Sequence, residues 1–236
     1  MKKNKTDKKG RWKKHLTTIL LLILLLLGLS LVFNEQIKSF LVGNTHPTIN
    51  AALVDKNKNK KASFDFSEVK SLNTADVLKA KVNEKDLVLL GELSIPDVSL
   101  NLPIAKGVST NTLALAAGTL KENEKMGEGN YALAGHHMIN EGLLFSPLVQ
   151  MKLGQKIYLT DAKNIYEYTT TKKKYIKATD VQVIDDTPGK TQVTLITCDD
   201  TGAGRLMVQG EYVQKWTYSA APKTVKDGFK TVHNNS

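Results

Sequence analysis

The 236-residue chain has a single cysteine, Cys198, so no internal disulfide can brace the fold. Arginine is almost as scarce: of 33 basic residues only Arg11 and Arg205 are arginines, and the rest are lysines. Histidine occurs five times, as His15, His46, His136, His137 and His233. Long apolar runs are missing everywhere except at one place near the start, and no internal repeat is visible. The 41% hydrophobic and 24% charged residues exclude a wholly disordered or collagen-like chain. The net charge of +10 gives little support to a nucleic-acid groove, because of where it sits. Residues 1–15 hold eight basic side chains against Asp7 alone, so seven of the ten positive charges lie there and only three remain for the rest.

The one apolar run, residues 16–34, carries no charged side chain until Glu35. Its length at ~1.5 Å per residue approaches the ~30 Å hydrocarbon core and exceeds the ~7–15 residues of a signal-peptide core. No clear small-x-small cleavage site follows. This predicts an uncleaved signal anchor. The basic residues before it place the N-terminus in the cytoplasm and the remainder outside. The expected organisation is a basic cytoplasmic segment (1–15), a transmembrane anchor (16–36), a linker (37–72), a globular domain (73–221) and a loose polar tail (222–236). The lysine run at 56–61 reads as a solvated spacer.

Residues 73–86 predict a short amphipathic helix, with Asn73 or Thr74 as N-cap and Val77, Leu78 and Val82 on one side. From residue 87 onward short β-rich runs alternate with turns. Strands are expected at 88–95, 98–104, 130–137, 155–161, 164–171, 173–184, 191–198 and 205–216, with short helices at 112–117 and 143–151. Eight short strands at this spacing predict an all-β domain: an eight-stranded closed or nearly closed barrel with short helices, preceded by the transmembrane helix.

Covalent chemistry inside this domain has few sources. Cys198 is the one thiol, His136 and His137 the only histidines, and Arg205 the only arginine, all at predicted strand ends. A free thiol is only about 3% thiolate at pH 7, so a nucleophilic cysteine needs a base or a nearby cation. A histidine supplies the base and then the acid, and a fixed arginine offers donors to an oxyanion. Alternation puts Val193, Leu195 and Thr197 on one face of their strand and Thr194, Ile196 and Cys198 on the other. It likewise pairs Ala132 and Ala134 with His136, and Arg205 with Met207. Apolar sets inside a barrel would leave Cys198, His136 and Arg205 on its outer wall. The inventory alone leaves a Cys–His enzyme and a buried structural cysteine both open.

Thr194-Leu195-Ile196-Thr197-Cys198 resembles the Thr-Leu-x-Thr-Cys signature of sortases. Ala132-Leu133-Ala134-Gly135-His136 resembles the strand that delivers the sortase histidine, and Arg205 opens the next strand as the sortase arginine does. The anchor and the Thr-Cys-Asp-Asp run resemble class A, the housekeeping sortases of Gram-positive bacteria. The resemblance implies the eight-stranded sortase barrel and cleavage of a Leu-Pro-x-Thr-Gly sorting signal through a thioester on Cys198. His136, which directly follows glycine, would act as acid, and Arg205 would bind substrate or the oxyanion. Ala134, Ile196 and Thr197 would line the groove. The partners implied are secreted proteins with a C-terminal sorting signal, a peptidoglycan-precursor amine and the membrane, with no nucleic acid.

Some class A members bind calcium between the loops that precede the histidine and cysteine strands. Here Lys121 and Lys125 intrude among the acids and Asp185–Lys190 is short. No metal or other cofactor is therefore expected, and only a weak calcium site could be assembled from Glu124, Glu128, Asp185 and Asp186. A papain-like protease places Cys before His, the reverse of this order, and the caspase signature is absent. A non-catalytic surface-binding module is the alternative from another class.

Overall fold

A computed structural model of the chain describes residues 6–42, 48–66, 69, 72–199 and 202–234. His46 and Asp200 fall outside them. Helix α1 (Thr6–Val32) contains the uncharged run, and its leucines are exposed along their whole length. The stretch Lys14–Val32 is long and apolar enough to cross a membrane. Helix α2 (Asn34–Val42) follows almost without a break, since Ile37 N–H donates to Phe33 C=O at 2.9 Å.

The segment expected to be a polar linker is more structured than its composition suggests. Within it, α2 ends on Val42, which is fully buried, and α3 (Ala51–Asn57) buries Val54 and Asn57. The Asn57 amide donates to the Leu89 carbonyl at 3.0 Å, fastening α3 to the first strand. Helix α4 (Thr74–Val82) starts at the predicted Asn73, whose side chain accepts from Asp76 N–H while Asp76 accepts from Asn73 N–H. That reciprocal box satisfies two otherwise orphaned donors. The helix turns Val77 and Ala80 inward and leaves Leu78 and Val82 exposed, so the predicted apolar side is only partly the buried one.

The barrel is closed and eight-stranded, as expected, in the order β1-β2-β3-β4-β7-β8-β6-β5. Its strands are β1 (Leu89–Ile95), β2 (Leu100–Ala105), β3 (Ala117–Thr119), β4 (Asn130–Ala134), β5 (Lys156–Thr160), β6 (Asn164–Lys177), β7 (Gln192–Cys198) and β8 (Gly204–Thr217). Pairing of β1 with β5, Leu93 opposite Leu159, closes the cylinder and leaves no free sheet edge. Leu93, Leu102, Leu133, Ile157, Val193, Leu195, Leu206 and Val208 fill its interior. Burying each aliphatic side chain contributes about 1.5–3 kcal/mol.

Two differences from the expected strand list cancel in the count. The runs 164–171 and 173–184 form one strand, β6, which carries a bulge where Thr170 faces Gly210 and Lys172 faces Gln209. Strand β3 was not expected: it begins at Ala117, the last residue of the expected helix, because α5 (Thr110–Leu115) stops short of it. Strand β6 itself stops at Lys177, where the Asp180 carboxylate accepts Lys177 N–H at 2.9 Å and turns the chain. A 3-10 turn at Val181–Ile184 replaces the expected end of that strand. Another, at Ser146–Gln150, stands within the expected helix 143–151.

The tail is not loose. Helix α6 (Lys223–Gly228) buries Val225, and Phe229 packs with it against Ile165. Asn234 then ties the chain end down, donating through its backbone to Asn101 C=O at 2.7 Å and accepting from Leu144 N–H at 2.9 Å.

Candidate active site

Three strands build the site, and their register does the positioning. Strands β4 and β7 run parallel, with Ala132 opposite Thr194 and Ala134 opposite Ile196. Gly135 N–H prolongs the pairing to Ile196 C=O at 3.1 Å. His136 and Cys198 each lie two residues beyond the Ala134–Ile196 pair, on the same outer face of adjacent strands. Strand β8 returns antiparallel and sets Arg205 directly opposite Cys198.

Local sequence explains each placement. A Cβ at Gly135 would fall inside contact distance of the Phe145 ring, so only glycine lets the chain pass there on its way to His136. Phe145 N–H then donates to His136 C=O at 3.0 Å. In the turn between β7 and β8 the Asp199 carboxylate accepts Gly204 N–H at 3.0 Å. The Arg205 guanidinium lies back on this turn, donating to Gly202 C=O at 3.2 Å and Gly204 C=O at 2.8 Å.

Cys198, His136 and Arg205 line one cleft of about 300 Å³, together with Ala134, Ile196 and Thr197. All six residues singled out from the sequence therefore meet at a single cavity. Thr197 is the odd member. It follows Val193 and Leu195 on the inward face, is buried, and its Oγ1 has no hydrogen-bond partner. His137 is not among the cleft's lining and forms an isolated bridge with Leu144 instead.

The sequence did not reveal the rest of the wall. Val108, Leu113 and Leu120 pack with Ala132 under the cleft, and Val181, Val183 and Ile184 enclose it from the β6–β7 segment. Phe66 and Val69 reach it from the segment before α4. These are contacts between elements distant in sequence, and nothing in the local pattern of residues 62–72 marks them. The result is an apolar trough with Cys198, His136 and Arg205 among its lining.

Burial governs the histidine. His136 is 8% exposed, and desolvation lowers its pKa to about 4, helped by the positive charge of Lys38 and opposed by Asp76. The imidazole is thus neutral near pH 7.

Three of the four acids weighed for calcium are occupied otherwise. Asp186 accepts Lys121 Nζ at 2.7 Å and Asn130 N–H at 2.8 Å, and both contacts lower its pKa. Glu128 pairs with Lys125 at 3.4 Å, and Glu124 Oε2 accepts Ala132 N–H at 2.8 Å. Among the described residues no three His, Cys, Asp or Glu side chains group as metal ligands. A lysine stands where a cation would bridge the two loops, so this set does not fit calcium.

Comparison with known proteins bears directly on this constellation. The sortase-domain family model matches residues 93–213. Sortase A of Streptococcus agalactiae is 40% identical over 227 residues, covering 92% of each chain. Sortase A of Listeria monocytogenes is 43% identical over 183 residues, covering 75% of this chain and 82% of that one. The crystal structure of the Listeria enzyme superposes with a TM-score of 0.56 at 41% identity, over 61% of this chain and 98% of that chain. With the closed barrel and the matched domain in agreement, the chain belongs to the sortase family and is a sortase transpeptidase.

Proposed function

We propose that Cys198 is the nucleophile of a thioester mechanism that cleaves a Leu-Pro-x-Thr-Gly sorting signal between Thr and Gly. The observation that carries this reading is the strand register setting His136, Cys198 and Arg205 at one end of an apolar cleft. From the cysteine strand, Ile196, Thr197 and Cys198 line the groove. Ala134 and Ile196 contact the signal there, and Thr197 shapes the floor from beneath.

Neutral His136 takes the proton of the Cys198 thiol as sulfur attacks the Thr carbonyl carbon. The C–S bond forms, and Arg205 turns its donors to the oxyanion. Collapse breaks the C–N bond, and His136 passes its proton to the leaving Gly amine. A peptidoglycan-precursor amine then attacks the thioester, gives up its proton to His136 and leaves the surface protein covalently attached. Cys198 departs as thiolate and recovers the proton.

The substrates are secreted proteins with a C-terminal sorting signal. Helix α1 anchors the enzyme, with its N-terminus cytoplasmic and the barrel outside. Protease added to wall-stripped cells should remove the barrel, whereas full protection would reverse the orientation.

Purified full-length variants test the roles through peptide cleavage and amine transfer. Cys198→Ala should fall to background. His136→Ala should lose about 10²–10⁴-fold and His137→Ala far less. Arg205→Lys keeps the charge but loses the planar fork, and should lose on the order of 10²–10³-fold. A folded Cys198→Ala protein that still cleaves would end this reading, and an inactive His137→Ala beside an active His136→Ala would move the acid to His137.

A further inference from the structure

The outer faces of β4, β7 and β8 stack in rows. His136, Cys198 and Arg205 form the reactive row, and Ala134, Ile196 and Met207 the next. Below them lie Ala132, Thr194 and Gln209, and then Asn130 at the far end of β4. The apolar middle gives way there to a buried polar chain. Thr194 Oγ1 donates to Asn130 Oδ1 at 2.7 Å and accepts from Gln209 Nε2 at 3.1 Å. Asn130 is 1% exposed, Thr194 0% and Gln209 6%. Three side chains that apolar residues could replace in volume are thus retained as hydrogen-bonding groups.

The free end of this chain shows what it holds. Asn130 Nδ2 donates to Val183 C=O at 3.0 Å and to Asp185 C=O at 3.2 Å. Its backbone N–H donates to Asp186. Val183 and its neighbours Val181 and Ile184 line the cleft. The β6–β7 wall therefore takes its position from an amide fixed by a hydroxyl on the cysteine strand.

We infer that Asn130 is a positioning residue for substrate binding: with Thr194 and Gln209 it clamps the 181–186 wall over the trough that receives the sorting signal. The inference rests on the proposed function of that trough. Thr194 lies four residues from Cys198, about 13 Å along an extended strand, so the clamp acts on peptide binding and not on the reacting atoms. A loss confined to binding raises KM and spares kcat.

Asn130→Asp keeps the shape and the acceptor but loses both donations to the wall. In the full-length enzyme it should raise the KM for a Leu-Pro-x-Thr-Gly peptide about tenfold or more with kcat within about twofold. Thr194→Val should shift KM in the same direction by a few-fold, and Thr194→Ser, which keeps the hydroxyl, should restore it. Amide hydrogen exchange should speed up across 181–186 in the first two variants and not in the third. Iodoacetamide should alkylate Cys198 at the wild-type rate in all three.

Wild-type KM and wild-type exchange in folded Asn130→Asp and Thr194→Val would overturn the inference, as would a fall in kcat at constant KM. If Asn130→Asp does not fold, the Val/Ser pair at 194 decides. Exchange needs no substrate. A wild-type enzyme that cleaves no sorting peptide would count against the proposed function, while the exchange comparison still judges the clamp.

Discussion

Glu124 stands just past the end of β3 and does a strand's work with a side chain. Its Oε2 accepts Ala132 N–H, in the wall of β4 that backs the cleft, while Leu120 N–H donates to Ala132 C=O at 2.9 Å. Burial raises its pKa to about 8, against the pull of the Ala132 N–H and of Lys121. The unfolded chain releases this proton near its ordinary value of 4.5, and the folded chain keeps it until about pH 8. The group's contribution to stability is therefore complete below about pH 4.5, declines as pH rises, and is lost above about pH 8. Glu124→Gln retains an acceptor and has no proton to lose. Thermal melts from pH 5 to 9 should show wild type falling progressively below the variant. Parallel curves would mean that Glu124 titrates normally. At this scale the residues proposed to react were easy to single out because they are rare: one thiol, one histidine pair and one body arginine can be found by inventory. Asn130 was not, because a buried asparagine looks like any turn residue until its partners at 183, 185 and 194 are known.

Elements were legible where alternation is unbroken, as in β7. Strand β6 read as two because its bulge resets the alternation between Thr170 and Lys172. Strand β3 escaped because its three residues Ala-Gly-Thr carry no pattern, and its existence depends on β2 and β4 on either side. The tail misled through composition: its polar residues outnumber Val225 and Phe229, yet those two dock on Ile165. Docking is reinforced where the Asn234 side chain donates to Ser99 C=O at 3.0 Å and Gly142 C=O at 2.6 Å. Gly142 belongs to the loop that leads from the histidines to Phe145. Ending the chain at Ala221 removes both apolar side chains from their site, at about 3 kcal/mol or more. For a domain of this size that lowers Tm by on the order of 10 °C. Calorimetry of the truncated and full-length proteins checks this, and equal melting temperatures would show that the tail only rests on the barrel.

Across the whole molecule, charge and apolarity divide the labour. Most of the net positive charge lies in residues 1–15, ahead of the apolar stretch of α1, whose exposed leucines suit lipid. Past the apolar stretch, α2 buries Val42 as it packs on α4 and α3 buries Val54 as it packs on β1, so these helices of the expected linker are built into the fold. The two loops flanking the cleft are joined by Lys121 and Asp186. In the proposed mechanism the barrel holds Cys198 ready to become an acyl carrier between two amines. Intact-protein mass spectrometry tests it most directly. Full-length enzyme mixed with a Leu-Pro-x-Thr-Gly peptide and quenched in acid should gain the mass of the fragment ending in Thr, located on Cys198. Added amine should discharge that mass and return it as the transfer product, and Cys198→Ala should never carry it. Cleavage that proceeds at the wild-type rate with no adduct on Cys198, or that survives in Cys198→Ala, would contradict the account.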